Sequence, residues 1–376
     1  MIYKTYGKTG LNVSAVGFGG MRFDTARSKE ENAALLRYAV DKGINWLDTA
    51  SGYCDDQSED IFGLAIGQMA SRRSAFYVST KGMPENCPTA AKAQEAVEKS
   101  LKRLRTDYID FYYVWCIRRW KEYELATRPG GQYEGLLKCL QQGKIRHLVV
   151  STHLRGPDVQ RLLGKMEFEG VLLGVNILNF MYRWQGVQAA SELGLGVAAM
   201  NPLAGGIIPR HHEQLGFLAG PGETPTEAAL RFCISCPQIT VTLVGFTLRE
   251  HIDTACRIVD SAELFSQEDI ERIRRRLTCS MDNLCTGCGY CMEYCPRNIP
   301  ISNYMQYYNY KLLDKRSDDK MIELLKEQYE WGMLADRPAG AEDCVRCGRC
   351  ELACTQHLDI IRRLEEIAVW EKSCSP

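Results

Sequence analysis

Residues 89–114 read TAAKAQEAVEKSLKRLRTDYIDFYYV, a helical pattern that runs directly into the β-rich stretch YIDFYYV (108–114). The same alternation recurs from residue 13 to about 260. Further β-rich runs are VSAVGFGG (13–20), NWLDTA (45–50), FYVST (76–80), HLVVST (147–152), VLLGVNI (171–177), GVAAM (196–200) and TVTLVG (240–245). Helix candidates lie between them, among them EENAALLRYAVDKG, with apolar residues at helical spacing and a glycine stop, and TPTEAALRFCIS. Strands alternating with helices imply parallel pairing through crossover helices, and eight such units predict an α/β fold closed as a (β/α)₈ TIM barrel. The rival is an open doubly wound sheet, disfavoured because no G-x-G-x-x-G follows the first strand. Ahead of that strand, MIYKTYGKTGLN reads as a hairpin turning at Gly7-Lys8-Thr9-Gly10, placed to plug the barrel floor.

The 376 residues suffice for one large domain and a small one. Apolar residues make up 45% and charged residues 25%, an ordinary composition with material for a core. A formal net charge of −1 gives no electrostatic case for nucleic acid or membrane surfaces. The run Arg274-Arg275-Arg276 reads as a solvated helix end, with a polyanion site as the sharper alternative. No apolar run reaches about 18 residues, and Met1-Ile2-Tyr3-Lys4 does not open a signal peptide, so the expectation is a cytoplasmic protein without membrane partners.

After the helix candidate SQEDIERIRRRL (266–277) the rhythm stops, and a domain boundary is expected near residue 279. That divides the chain into a barrel, 1–278, and a small, mainly helical module, 279–376. Of 17 cysteines, eight fall in two clusters after residue 284. The first is CTGCGYCMEYCP, with Cys285, Cys288, Cys291 and Cys295; the second is CVRCGRCELACT, with Cys344, Cys347, Cys350 and Cys354. Both have the spacing C-x₂-C-x₂-C-x₃-C of bacterial ferredoxins that hold two 4Fe–4S clusters. Two-residue spacers let a tight turn aim three thiolates at one cubane, while the fourth points to the neighbouring cluster. The expected ligand sets are therefore Cys285, Cys288, Cys291 and Cys354, and Cys344, Cys347, Cys350 and Cys295. Structural zinc knots are the alternative, but they favour C-x₂-C pairs over triplets with a trailing fourth. Thr355 stands where the first run has Pro296. The long gap between the runs holds a helical pattern (318–334), so the module is a helical variant of a two-cluster ferredoxin, with a final helix candidate in HLDIIRRLEEIAVWEK.

Function in a (β/α)₈ barrel sits at the C-terminal ends of the strands. Those ends supply Gly20, Met21, Asp48, Tyr53 just beyond it, Lys81, Trp115-Cys116, Ser151-Thr152-His153, Asn201 and Thr247. A phenol near an ammonium that stabilises its phenolate is a usable acid or base, and a carboxylate holds the lysine in place. A purely structural Asp–Lys pair beside a loop tyrosine is the plainer reading.

Several stretches then resemble the aldo-keto reductases: LDTASGYCDDQSE, the strand VSTK, DYIDFYYV after a helix, GKIRHLVVST and NPLAGG. The resemblance covers about residues 1–260, and the C-terminal module resembles that of the family's iron–sulfur-containing branch. It implies that Tyr53 protonates the substrate oxygen while NAD(P)H delivers hydride, with Lys81 and Asp48 tuning the tyrosine. It places the nicotinamide carboxamide at Ser151 and Thr152, and pyrophosphate and adenosine along Leu203 to Gly206, including Gly205, and Gly245 to Leu248, including Thr247. Three positions depart from the family. Trp115 occupies the place of a catalytic histidine, Thr152 that of an asparagine, and Ala255 that of an asparagine in the adenosine stretch. An indole N–H donates a hydrogen bond but shuttles no proton, so Trp115 is expected to line the substrate pocket as wall and donor, with packing alone as the alternative. His153 is a candidate replacement for the missing imidazole or else an exposed loop histidine, Cys116 a small pocket residue or a candidate thiol, Arg118 and Arg119 candidate anion ligands or solvated loop residues, and Arg249 or His251 candidates for a 2′-phosphate. The reading is an iron–sulfur oxidoreductase acting on a small-molecule carbonyl or alcohol, fed through the clusters by an external carrier such as ferredoxin. A flavin converting hydride to single electrons remains an option. The rivals are a nicotinamide-independent, ferredoxin-fed reductase or dehydratase, and a non-enzymatic electron-transfer partner.

Overall fold

The helix expected in the opening stretch forms as Ala90–Leu104, with Thr89 accepting a hydrogen bond from Lys92 N at 3.3 Å and Ala93, Val97, Leu101 and Leu104 buried on one face. This computed structural model describes residues 1–374 apart from Arg155, Met281, Asp282, Thr286, Cys288, Met333 and Thr355. The expected cluster ligand Cys288, like Thr355, therefore lies outside the described residues.

The hairpin forms from β1 (Tyr3–Thr5) and β2 (Asn12–Ser14), paired antiparallel. Eight strands follow: β3 (Val16–Gly19), β4 (Trp46–Asp48), β5 (Tyr77–Gly82), β6 (Ile109–Ile117), β7 (Ile145–Thr152), β8 (Gly170–Gly174), β9 (Gly196–Met200) and β10 (Val241–Gly245). They are parallel and close into a barrel by pairing β10 with β3. The open-sheet alternative is thereby excluded. Helices such as Lys29–Asp41, capped by a reciprocal Ser28–Glu31 box, cover the strands, which explains why β8 is buried at every position.

The hairpin delivers Tyr6 to the barrel floor, where it is fully buried against Trp46 (ring centroids 4.8 Å) and Phe111 (4.9 Å). Gly170 and Gly196 make room: a Cβ on either would come within 2.3 Å of the Tyr6 ring or hydroxyl. Lys4 fastens the same hairpin from outside, its Nζ donating to the carbonyls of Ile234 (2.6 Å), Cys236 (3.0 Å) and Ile239 (2.7 Å).

By backbone contacts the chain forms two compact units. The first comprises Met1–Val175, Gly186–Pro202 and Leu230–Leu264 and holds the barrel strands; the second comprises Asn176–Gln185, Leu203–Ala229 and the chain from Phe265 onward. In the second unit, helices Ile301–Asp314, Asp318–Glu330 and Ile360–Cys374 enclose a core that includes Tyr304, Tyr307, Met321, Leu364 and Trp370. Among the described residues no helix is long and apolar enough to cross a membrane.

Candidate active site

β4 ends on Asp48 and β5 carries Lys81, and the two side chains meet inside the mouth of the barrel. Lys81 Nζ lies 2.8 Å from Asp48 Oδ1 and 2.7 Å from Oδ2, with Lys81 only 1% and Asp48 4% exposed. Ser79 Oγ, two residues earlier on β5, donates to Oδ1 at 2.7 Å. Burial lowers the lysine pKa, and the Asp48 carboxylate pulls against that shift. A pair this deep repays its desolvation only while both partners are present.

Tyr53 follows β4 in a tight turn. Cys54, Asp55 and Asp56 all adopt left-handed backbone, with φ of 53°, 53° and 60°. Three successive non-glycine residues in that region are costly and persist only where the surroundings hold them. Here Gly52 N donates to Asp56 Oδ1 at 2.9 Å, and Arg103 bonds the Asp56 carboxylate (2.6 Å) and Asp60 (3.0 Å). The turn presents Tyr53 so that Lys81 Nζ lies 5.2 Å from its ring centroid. Sequence logic expected the ammonium to bring the phenol toward neutral. The structure reverses that direction: burial, with the Asp48 charge second, drives the Tyr53 pKa well above its ordinary value. The ammonium is already matched by Asp48, so little of its field reaches the phenol.

Trp115 owes its position to an irregularity in β6. Pairing with β7 is regular to Val114, then shifts before Ile117, and Cys116 in the interrupted stretch has φ 63°. A bulge of this type re-aims a side chain. The Trp115 ring meets Tyr53 edge to face, centroids 5.6 Å apart and planes at 84°. The indole therefore forms one wall beside the phenol. Cys116 is buried, and burial pushes its thiol up to about 12, which removes it as a reactive nucleophile. Arg118, one of the candidate anion ligands, has partners inside the protein. Its guanidinium is buried and committed to Glu122 (2.7 Å) and Glu85 (2.9 Å). Arg119 lies 3.9 Å from Glu122.

The expected nicotinamide contacts are distributed as follows. Gly20 is buried, and a Cβ there would come within 2.5 Å of Phe62, while Met21 is 55% exposed. Ser151 is fully buried at the end of β7 and its hydroxyl has no hydrogen-bond partner. Thr152 differs: its Oγ1 donates to Ile117 O at 2.8 Å and accepts from Leu154 N at 3.0 Å, so its one proton is spent inside the protein. Gly245 leaves space that a Cβ would close against Arg22 Cγ at 2.7 Å. Thr247 Oγ1 is 3.2 Å from His251 Nδ1. Leu203 and Gly205, the latter with φ 67°, belong to the second compact unit. His153 is partly buried and anchors its backbone N–H on Ile117 O at 2.9 Å. Sequence reasoning missed Ser79 and Arg103; a serine two positions before the lysine on one strand was a signal for the first, and nothing local marks the second.

In the second unit the two cysteine runs share one backbone design. Gly287 and Arg346, Gly289 and Gly348, and Asn298 and His357 are matching positions of the two runs, and all six have positive φ. Each run then enters a long helix, at Ile301 and at Ile360. Cys295 of the first run lines a single cavity with Cys344, Cys347 and Cys350 of the second, together with Ile299, Ile301 and Leu364. Cys285 and Cys291 are buried, and Cys354 packs partly buried against the same core. Among the described residues no three Cys, His, Asp or Glu side chains are gathered tightly enough for one metal ion. A cubane binds each thiolate to a different iron, so its ligands stand further apart than those of a single ion.

Residues 15–277 match the aldo/keto reductase family, and residues 284–360 match a 4Fe-4S dicluster domain. An uncharacterized oxidoreductase of Bacillus subtilis, YrpG, is 26% identical over 310 residues, covering 69% of this chain and 91% of that protein. L-galactose dehydrogenase of Arabidopsis thaliana is 24% identical over 291 residues, or 69% and 88% of the two chains. Among solved structures, an aldo-keto reductase from Klebsiella pneumoniae in complex with NADPH superposes with a TM-score of 0.60 at 24% identity, covering 73% of this chain and 95% of that one.

Proposed function

The chain belongs to the aldo/keto reductase family and is an oxidoreductase, and from that premise we propose that it interconverts a small carbonyl compound and its alcohol with NAD(P)H. The observation that carries this reading is the Asp48–Lys81 pair buried directly behind Tyr53, with Trp115 against the phenol edge. A nicotinamide bound at the mouth would supply or accept the hydride. The orphan hydroxyl of Ser151 fits its carboxamide. In reduction, the Tyr53 hydroxyl gives its proton to the substrate oxygen; in oxidation, it receives the proton. Burial raises its pKa, so at neutral pH the hydroxyl carries its proton, the form that reduction requires. Lys81 and Asp48 fix the floor beneath the ring without carrying the transferred proton, and Trp115 limits how the substrate can lie.

In the module that follows residue 279, the reading assigns Cys285, Cys288, Cys291 and Cys354 to one 4Fe–4S cluster and Cys344, Cys347, Cys350 and Cys295 to the other. The cavity shared by Cys295 with Cys344, Cys347 and Cys350 supports the crossed set. Bound clusters would supply one-electron transfer, and thiolate runs of this kind belong to a reducing compartment such as the cytoplasm.

A second reading rests on Thr152, whose proton is spent on Ile117: the barrel is fed by the clusters alone, without nicotinamide. Anaerobic titration separates the two. Protein containing about eight irons and eight sulfides per chain is titrated with NADPH, NADH and reduced ferredoxin, following cluster absorbance. Reduction of the clusters, or of a carbonyl panel, by NAD(P)H upholds the first reading. A response to ferredoxin alone transfers the case to the second, and four irons or zinc would remove the two-cluster assignment.

A further inference from the structure

The matching backbones of the two cysteine runs make their unlike surroundings informative. Arg363, on helix Ile360–Cys374, is 3% exposed. Its Nη2 donates to Asn283 O at 2.9 Å, two residues before Cys285. Its Nε and Nη1 are equally buried and have no hydrogen-bond partner. The Tyr308 ring lies 5.0 Å away, and the guanidinium charge is felt at the Cys285 sulfur. A buried cation with two idle donors is an arrangement that proteins keep where an anion compensates it. A cubane held by four thiolates is such an anion, with sulfurs able to accept those N–H groups.

The runs repeat at 59 residues, Cys285 to Cys344, so the counterpart of Arg363 is Tyr304. Near the second run the buried charge is a carboxylate, while Arg297, about half exposed, lines the cavity of Cys344, Cys347 and Cys350. Glu371, 9% exposed, accepts from the hydroxyls of Tyr304 and Tyr329 on one oxygen and from Ala341 N at 2.8 Å on the other. Ala341 O in turn accepts from Cys344 N at 3.2 Å. Arg337 stands 3.8 Å from this carboxylate and is about a third exposed.

We infer that the two clusters sit at different reduction potentials, Arg363 raising that of the cluster on Cys285 and Glu371 lowering that of the cluster on Cys344. The sign follows from electrostatics. Reduction adds one negative charge to a cluster, which a buried cation with N–H donors to sulfur favours and a buried carboxylate opposes. One electron passing between them would oxidise the Cys344 cluster and reduce the Cys285 cluster, with no proton required. The inference rests on the two-cluster reading above.

The test is a redox titration of the full-length protein, prepared anaerobically and followed by electron paramagnetic resonance, with dithionite as the reductant. An iron count comes first: well below eight in the unsubstituted protein, it brings down the two-cluster reading itself. With eight irons present, two separate one-electron waves are expected. Arg363→Gln should move only the upper wave, downward, and Arg363→Lys should restore most of it. Glu371→Gln, which keeps an acceptor for Ala341 N, should move only the lower wave, upward. A single unresolved wave, a shift of the same wave in both variants, or no shift in either overturns the inference. Should Arg363→Gln lose iron, Glu371→Gln decides alone, and an unmoved lower wave in it is fatal.

Discussion

At the floor of the barrel, Tyr6, Trp46 and Phe111 pack tilted and edge-on with centroids 4.3–4.9 Å apart, whereas at the mouth a buried ion pair supports a tyrosine held on a turn of left-handed residues. One end closes by shape alone, and its glycines are small because aromatic rings occupy their space. The other end accepts desolvated charge and positive φ at Cys54, Asp55, Asp56 and Cys116, each costly by itself. Stability has been given up for position at the mouth and not at the floor. The floor needs no particular chemistry, while the mouth needs one hydroxyl in one place.

The contrast breaks most visibly at Tyr53. Tyr53→Phe should cost on the order of 10²–10⁴ in turnover with carbonyl substrates and leave the thermal midpoint almost unchanged. Comparable turnover in the variant would move the chemistry elsewhere. At the floor the pattern should invert: Tyr6→Ala should lose about 3–5 kcal/mol in denaturant unfolding, yet the protein that remains folded should keep its KM. A large KM change with little loss of stability would show that the floor reaches the site. Because burial raises the Tyr53 pKa, reduction should hold level from neutral into the alkaline range, while alcohol oxidation, which needs the phenolate, should still be rising there. A reduction rate that falls between pH 7 and 9 would contradict a strongly raised phenol. The smallest effect belongs to Trp115→Phe, which keeps the ring against Tyr53 and removes only the indole N–H. The expected cost is about 0.5–1.5 kcal/mol, or a few-fold to roughly tenfold in rate. Should it match Tyr53→Phe instead, Trp115 takes part in the chemistry.

Much of this was legible before any coordinates. The eight strands announce themselves because strands buried on both faces are written in continuous apolar runs, and the hairpin because its turn is bracketed by Gly7 and Gly10. The cysteine runs are legible because ligand geometry is encoded in local spacing. The bulge at Cys116 and the turn over Cys54–Asp56 are not, since left-handed backbone is normally flagged by glycine and here it is imposed by distant partners such as Arg103. Arg118 misleads for a related reason: a sequence shows a charge but not the Glu85 that cancels it. The direction of the Tyr53 shift depends on two opposing fields and the depth of burial, a balance that only the packed mouth settles.

The Lys4 clamp bears on how this chain is made. Its three carbonyl partners lie as far as 235 residues downstream, at Ile239. On a ribosome adding roughly 5–20 residues per second, the first hairpin waits about ten to fifty seconds before those carbonyls exist. Until then Tyr6 has no finished floor to enter, and the edge of the nascent sheet stays open to other chains. A hairpin synthesised so far ahead of its partners is thus among the later parts to lock, and a substitution such as Lys4→Met would show itself less in the finished enzyme than in the yield of chains that reach it.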